Sequence, residues 1–586
     1  MRVWVAGLVI IATQAAVGAS TAFAGGIEYA GAGTQALGRG GAVAARADDP
    51  MVLMYNPAGL VELRGTQIMV NANLALMNAC VDPIGYYGWG AYNGGKPSRF
   101  TDPRTGETQT LQLGRVSDVG PMENAYYNAP YDTVCMQEGV TPVPEVGLTA
   151  RLGNRFGIGI GAIFPSVTPQ GRWGADNGVI HGATGLRPAA TRYMMINSGT
   201  VGVFPTLGLA YKLADWLRIG ASFRWGIINV DNLSVAALQV GTTPANDTLV
   251  HVRATDWMVP EFTGSIHIVP FDAVDIVGGF HYQGDLDAPG TIDITTGEFD
   301  AAGVAHTTTN KVTGVHQKFP WSFWGAIRFA SRLAPRPYDS GNNDLAITGG
   351  RVLHDAFQDE RFDIELDVHY ELNSRHQDLL LQFEPDQKVE FVSTEGSVST
   401  LTFPDISMPN GTLIQKRWQD QISARLGGSY NIVPGVFGIT TGVHYENRGV
   451  DPAYMQIDYW PLKRVGLHAG IRIRIAGSMD FHFAYAHIFQ ETLVVSAPMH
   501  ENFDVIGARY VQDGTVTAID KRVGVRTPDN PMPTPIEEVK PTAADGEARL
   551  TQNYSKELRG TPPYIINAGT YRSGIDVFSA GVTMHF

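Results

Sequence analysis

Arg218 and Arg224 lie in the stretch WLRIGASFRWGII, and Arg472 and Arg474 in VGLHAGIRIRIAG. A guanidinium set in an otherwise apolar pocket can grip a ligand carboxylate through two parallel hydrogen bonds. The same four arginines can instead form a structural ladder with Asp363, Glu365 and Asp367 of RFDIELDVHYE, which share one face of that stretch. Other chemistry finds little footing. There is no G-x-S-x-G elbow and no H-E-x-x-H pair, so no catalytic residue and no enzyme is expected. His468 and His482 read as hydrogen-bonded polar groups. Two cysteines, Cys80 and Cys135, cannot build a metal site; in an oxidising compartment they most simply form one disulfide. No metal and no cofactor is expected. GIGIG at 157–161 has the glycine spacing of a nucleotide loop but no β-α-β context.

The arginines sit in stretches of strict period-two alternation. Leu217, Ile219, Ala221, Phe223, Trp225 and Ile227 take one face, and Arg218, Gly220, Ser222, Arg224 and Gly226 the other. Such stretches run about 10–14 residues, the length of tilted membrane-spanning strands rather than of sandwich strands. Their polar faces carry charge, as a polar lumen would. Trp216, Trp257, Trp321, Tyr430, Tyr445 and Tyr485 fall near the ends, where interfacial girdles belong.

Strands are expected near 66–77, 143–153, 155–164, 200–213, 216–230, 257–270, 273–284, 318–330, 360–371, 417–431, 435–447, 463–475, 478–491 and 573–586. That makes an all-β, fourteen-stranded antiparallel transmembrane β-barrel over residues 66–586. Tight turns at Gly153-Asn154, Ala214-Asp215, Pro270–Asp272, Val433-Pro434 and Ala476-Gly477 alternate with long loops, chiefly 78–142 and 492–572. The connection 331–359 breaks that rhythm and points to a strand misplaced there. The last stretch, IDVFSAGVTMHF, ends on an aromatic, like the signal read by barrel-insertion machinery.

Composition agrees with export. Arg2, the apolar run from Val3 and Ala22-Phe23-Ala24 have the form of a signal peptide over residues 1–24. The 586-residue chain carries 67 glycines, 10% aromatics and a formal charge of −14, which disfavours a nucleic-acid partner.

Residues 47–60, ADDPMVLMYNPAGL, hold a rigid corner: Pro57 fixes its own φ and pushes Asn56 toward extended backbone, while Ala58 and Gly59 permit close approach. A plain turn leading into the first strand is the simpler reading of that corner. The longer segment GAGTQALGRGGAVAARADDPMVLMYNPAGL resembles the N-terminal signature of the FadL/TodX family of outer-membrane hydrophobic-compound transporters. PEVGLTARLGNRFGIGIGAIFP, FPTLGLAYKLADWLRIGAS and WPLKRVGLHAGIRIRIAG also resemble the family, so the likeness runs from about residue 25 to the end.

The resemblance implies an N-terminal luminal hatch, here residues 25–65, with Asn56, Pro57, Ala58 and Gly59 as its gating corner. It implies release sideways at a kinked third strand, whose counterparts are Gly157, Gly159, Gly161 and Pro165; packing of those glycines against the hatch is the competing reading. The expected protein is a monomeric channel of the bacterial outer membrane, set among lipid and lipopolysaccharide. It would take up hydrophobic small molecules, foremost long-chain fatty acids. Alternatives are a transporter of uncharged aromatic hydrocarbons, an open diffusion porin, and a plugged barrel acting in adhesion or assembly through its outer loops.

Overall fold

The structure, a computed structural model, describes residues 28–84, 98–111, 130–164, 171–182, 185–237, 245, 247–333, 355–384, 388–402, 411–495, 509–512, 515–519 and 566–586. The expected signal peptide, Pro165 and most of 492–572 lie outside the described residues.

Fourteen antiparallel strands close on themselves: β1 (Thr66–Pro83), β2 (Val140–Leu152), β3 (Phe156–Ile163), β4 (Pro205–Ala214), β5 (Leu217–Ala237), β6 (Asp247–Phe271), β7 (Val274–Gln283), β8 (Ser322–Arg332), β9 (Glu360–Glu371), β10 (Gln421–Val433), β11 (Phe437–Glu446), β12 (Arg464–Ile475), β13 (Met479–Gln490) and β14 (Gly569–His585). β1 pairs β14 from Gln67↔His585 to Pro83↔Gly569, which leaves the sheet no edge. The alternation reads inside out relative to a soluble protein. Leu74, Leu148, Ile219, Phe262, Ile327 and Leu467 are exposed on the outside, while Arg218, Arg224, Asp363, Glu365 and Arg472 are buried within. No helix among the described residues is long and apolar enough to cross a membrane. The apolar wall does the crossing.

β8 and β9 pair directly, Ser331 opposite Phe362, so no strand was misplaced there. Their connection is simply long for its end of the barrel. It finishes in one helical turn, Ala356–Asp359, capped by Asp355, whose carboxylate accepts from Phe357 N–H.

Among the described residues, the outer segments expected as loops at 231–256 and 285–317 are largely sheet. β6 pairs β7 along its lower half, then turns to a hairpin of Leu286–Thr296 and His306–Gln317 along its upper half. The flip occurs at Trp257 and Met258, which both point outward. Below them Glu261, Thr263, Ser265 and His267 face in; above them Val250, Val252 and Ala254 do. The extra residue lies on β6: Gly226 of β5 pairs Val259 and Ile228 pairs Asp256, and β5 keeps its even-numbered side chains inward, polar up to Arg224 and apolar from Ile228. A bulge adds one residue to one strand, and with a side-chain period of two every later side chain changes face. Trp225 marks the level, its Nε1–H donating to the Trp257 carbonyl at 2.6 Å. Indoles belong at a membrane interface. Beneath that level the interior is polar and the exterior apolar; above it the two exchange.

Candidate functional site

The polar lower half of the lumen is occupied by residues 28–65. This segment carries two short helices, α1 (Thr34–Gly38) and α2 (Val52–Tyr55), and a 3-10 turn over Pro57–Val61. Asn56 is fully buried. Its Nδ2 donates to the Ala44 carbonyl at 2.8 Å and reaches His267 Nδ1 at 3.3 Å, and its Oδ1 accepts from Ser265 Oγ at 2.9 Å. The same Ser265 Oγ accepts from Ala58 N–H. Pro57 opens the 3-10 turn, where its missing N–H costs nothing. Gly59 lies against Ala47, which leaves no room for a side chain.

Glycines on the wall form two seats for the segment. A Cβ on Gly157 would come within 2.6 Å of the Leu60 carbonyl carbon, and one on Gly159 within 3.0 Å of the Leu53 and Leu60 methyls. Gly220 on β5 faces the Pro57-Ala58 backbone in the same way. Across the lumen, Gly427 and Gly442 lie under the Arg39 carbonyl. Gly161 instead lies against the Val146 carbonyl of the neighbouring strand.

Charge does the rest of the fastening. Arg39 forms a two-pronged pair with Asp363 at 3.1 and 2.7 Å and reaches Glu365 at 3.1 Å. Arg46 and Arg328 also bond Asp363, at 2.7 and 2.9 Å. Glu365 and Asp367 accept backbone N–H groups of Ala45, Val43 and Ala44. The acidic row therefore does not ladder with the four arginines named from sequence. Its partners are the segment itself and Arg328. Each of those four is engaged elsewhere: Arg218 with Glu62, Arg224 with Glu261, Arg472 with Asp48 and Asp480, and Arg474 with Asp480 and Asp355. Each of the four thus has a carboxylate partner, while Arg224 Nη1 and Arg472 Nε make no hydrogen bond.

Above the Trp225 level the interior is one apolar cluster that includes Trp173, Phe204, Ile228, Val252, Trp460 and Tyr571. Trp173 and Trp460 stack at 5.7 Å, and Tyr571 meets Trp460 edge-on. Buried cations here include Arg192, paired with Asp247, and Lys416, paired with Asp458. Cys80 and Cys135 are bonded and tie the 134–135 strand to β1.

Among the described residues the wall between β2 and β4 is incomplete at this level. β3 is paired on both sides from Phe156 to Ala162, and β2–β3 pairing ends at Glu145↔Ile163. Pro142 and Pro144 follow on the upward course of β2, still in register with Leu74 and Ala72 of β1. A proline has no N–H for a further neighbour, so the ladder stops where they begin. Among the described residues it is next bridged by Arg172, which exchanges backbone hydrogen bonds with Gln137 and pairs Asn197. Val140 on one flank and Val201 and Val203 on the other are exposed.

Arg39, Arg46, Gly220, Gly427 and Gly442 escaped the sequence reading. The alternation of β5, β10 and β11 puts the three glycines on inward faces, but only the path of the N-terminal segment shows what they face.

A closed barrel with an apolar belt outside and its N-terminal segment packed within is a membrane β-barrel, and this architecture is the fold of FadL-type outer-membrane proteins. The chain is similar to the crystal structure of a FadL homologue from Pseudomonas aeruginosa, with a TM-score of 0.57 and 12% identity over 97% of this chain and 100% of that one. It is also similar to the monoaromatic hydrocarbon channel CymD (TM-score 0.49, 13% identity, 95% and 98% covered) and the P. putida toluene transporter TodX (0.48, 11%, 95% and 99%). No protein-family model and no curated protein sequence matches the chain.

Proposed function

We propose that the protein is an outer-membrane channel for passive uptake of hydrophobic molecules. They are captured in the apolar outer half and released sideways into the bilayer, and residues 25–65 act as a hatch that blocks the straight path. The observation that carries this reading is the interruption, among the described residues, of the wall between β2 and β4. It lies at the Trp225 level, beside apolar Val140, Val201 and Val203, where the apolar interior comes nearest the lipid. A hydrophobic solute can pass from one apolar phase to the other there without crossing the polar lower lumen. Fatty acids and uncharged hydrocarbons both fit this route.

The test is uptake of labelled oleate and labelled toluene by cells that lack their own transporter. The cells would express this chain or its Asn56→Ala/Pro57→Ala variant at equal surface levels. Saturable uptake of either compound, reduced in the variant, is expected. Uptake no better than the empty strain would overturn the channel assignment, and large ion conductance in planar bilayers would mark an open porin. Loss of function only on deletion of 500–565 would mark a loop-mediated adhesin.

A further inference from the structure

Among the described residues, the edge of the opening between β2 and β4 carries a carboxyl group with no cation beside it. Glu145 belongs to the last β2–β3 pair, opposite Ile163, and is fully buried. The next inward side chain above it on β2 is Val143, where the ladder to β3 has already stopped. Glu145 Oε1 accepts from Gly33 N–H of the N-terminal segment at 3.0 Å, and its Oε2 has no partner. No lysine, arginine or histidine among the described residues lies within ion-pair distance of it.

The charge placed to act on Glu145 is that of a second carboxyl group, Asp49, which is itself buried and accepts from Met51 N–H at 2.8 Å. Thr149, on the same inward face of β2, also keeps a buried Oγ1 without a partner. A buried acceptor left open is costly unless a donor comes to it. An otherwise apolar solute that carries a hydroxyl can supply that donor on its way from the outer interior to the lipid. A carboxylate cannot. It would bring a further negative charge to two carboxyl groups that lack a cation, and like charges repel strongly in an apolar surround.

We infer that Glu145 is the specificity-determining residue of the side exit: its Oε2 accepts the hydroxyl of an uncharged, otherwise apolar solute, and with Asp49 it turns carboxylates away. The inference rests on the channel reading above and narrows it to uncharged solutes, with alcohols favoured over alkanes and alkanes over acids.

The test compares labelled dodecanol, dodecane and laurate, which share a chain length and differ in the head group. Initial uptake, well below saturation and net of the empty strain, is measured in cells that lack their own transporter and express the full-length chain. The wild type should take up dodecanol roughly tenfold faster than dodecane, the worth of a hydrogen bond to a charged group, and laurate slowest of the three. Glu145→Gln keeps an acceptor for Gly33 N–H and replaces the open oxygen by an amide donor. It should lose the preference for dodecanol and raise laurate relative to dodecane. Asp49→Asn should raise laurate relative to dodecane and keep dodecanol first. The mobility shift of unboiled against boiled protein confirms that each variant is a closed barrel. Any other wild-type ranking, or a ranking that Glu145→Gln leaves as it is, overturns the exit filter and leaves the channel intact. The wild-type ranking needs no variant, so it decides even where Glu145→Gln fails to close. Uptake of none of the three above the empty strain overturns the channel reading itself.

Discussion

Arg39 and Asp363 meet in a two-pronged ion pair although 324 positions separate them in sequence, one in the N-terminal segment and the other on β9. Both side chains are almost wholly shielded from water. This contact fastens segment to wall; without Arg39, Asp363 keeps Arg46 and Arg328, while Glu365 loses its Arg39 bond. Arg39→Ala should weaken the seating of the segment by about 1.5–3 kcal/mol, the worth of hydrogen bonds to charged groups. The barrel should stay closed, because none of its strand pairs depends on Arg39. Planar-bilayer recording checks this: ion conductance should rise above the wild-type level with the heat-modifiable mobility retained.

Asn56→Ala deletes hydrogen bonds to Ala44, Ser265 and His267 and leaves those buried groups unpaired. A cost of about 1–3 kcal/mol is expected. Labelled-substrate uptake at matched surface expression should fall, and urea should release the segment earlier, as protease sensitivity within 28–65 would report.

Gly220→Ala sets a methyl group against the Pro57-Ala58 backbone, which cannot yield like the tip of a flexible side chain. Overpacking of about 1–3 kcal/mol is expected. Gly278→Ala is the control, since a methyl there meets nothing within 4 Å. A lower melting temperature for the first variant alone, measured in the same detergent, is the outcome predicted.

His376 lies in the outer region just beyond β9. Burial, with the Lys416 charge beside it, pushes its imidazole from the ordinary 6.5 down to about 3. Its Nδ1–H donates to the Lys318 carbonyl, its Nε2 has no partner, and its ring meets Trp418 edge-on at 4.5 Å. The folded state refuses a proton that the unfolded state accepts, so stability contributed here is present above pH 6.5 and is lost as the pH falls toward 3. The tryptophan emission should shift between pH 7 and 4, and His376→Phe should flatten that response.

The barrel was legible in the chain because a membrane wall writes a simple pattern: apolar outside, polar inside, period two. Rows such as Phe362/Ile364/Leu366 against Asp363/Glu365/Asp367 leave little room for another reading. The pattern ceased to serve above Trp257, where the outer hairpin wears its apolar face inward, as Ile292 and Ile294 do. Contacts across the lumen were not legible at all. Nothing local to β9 tells whether Asp363 will meet Arg218 on the wall or Arg39 in the segment. The alternation of ISARLGGSY places Arg425 on the inner face, but it does not tell that Asp367 opposite turns to the Val43 and Ala44 N–H groups.

The change of lining at Trp257 and Gly226 also sets a height. Residues 247–256 continue the wall past that level, and at about 3.3 Å per residue with barrel tilt they carry it roughly 25 Å beyond the lipid boundary. The molecule thus wears a chimney, wetted outside and dry within. Its rim, rather than the bilayer surface, is where a greasy solute would part from water.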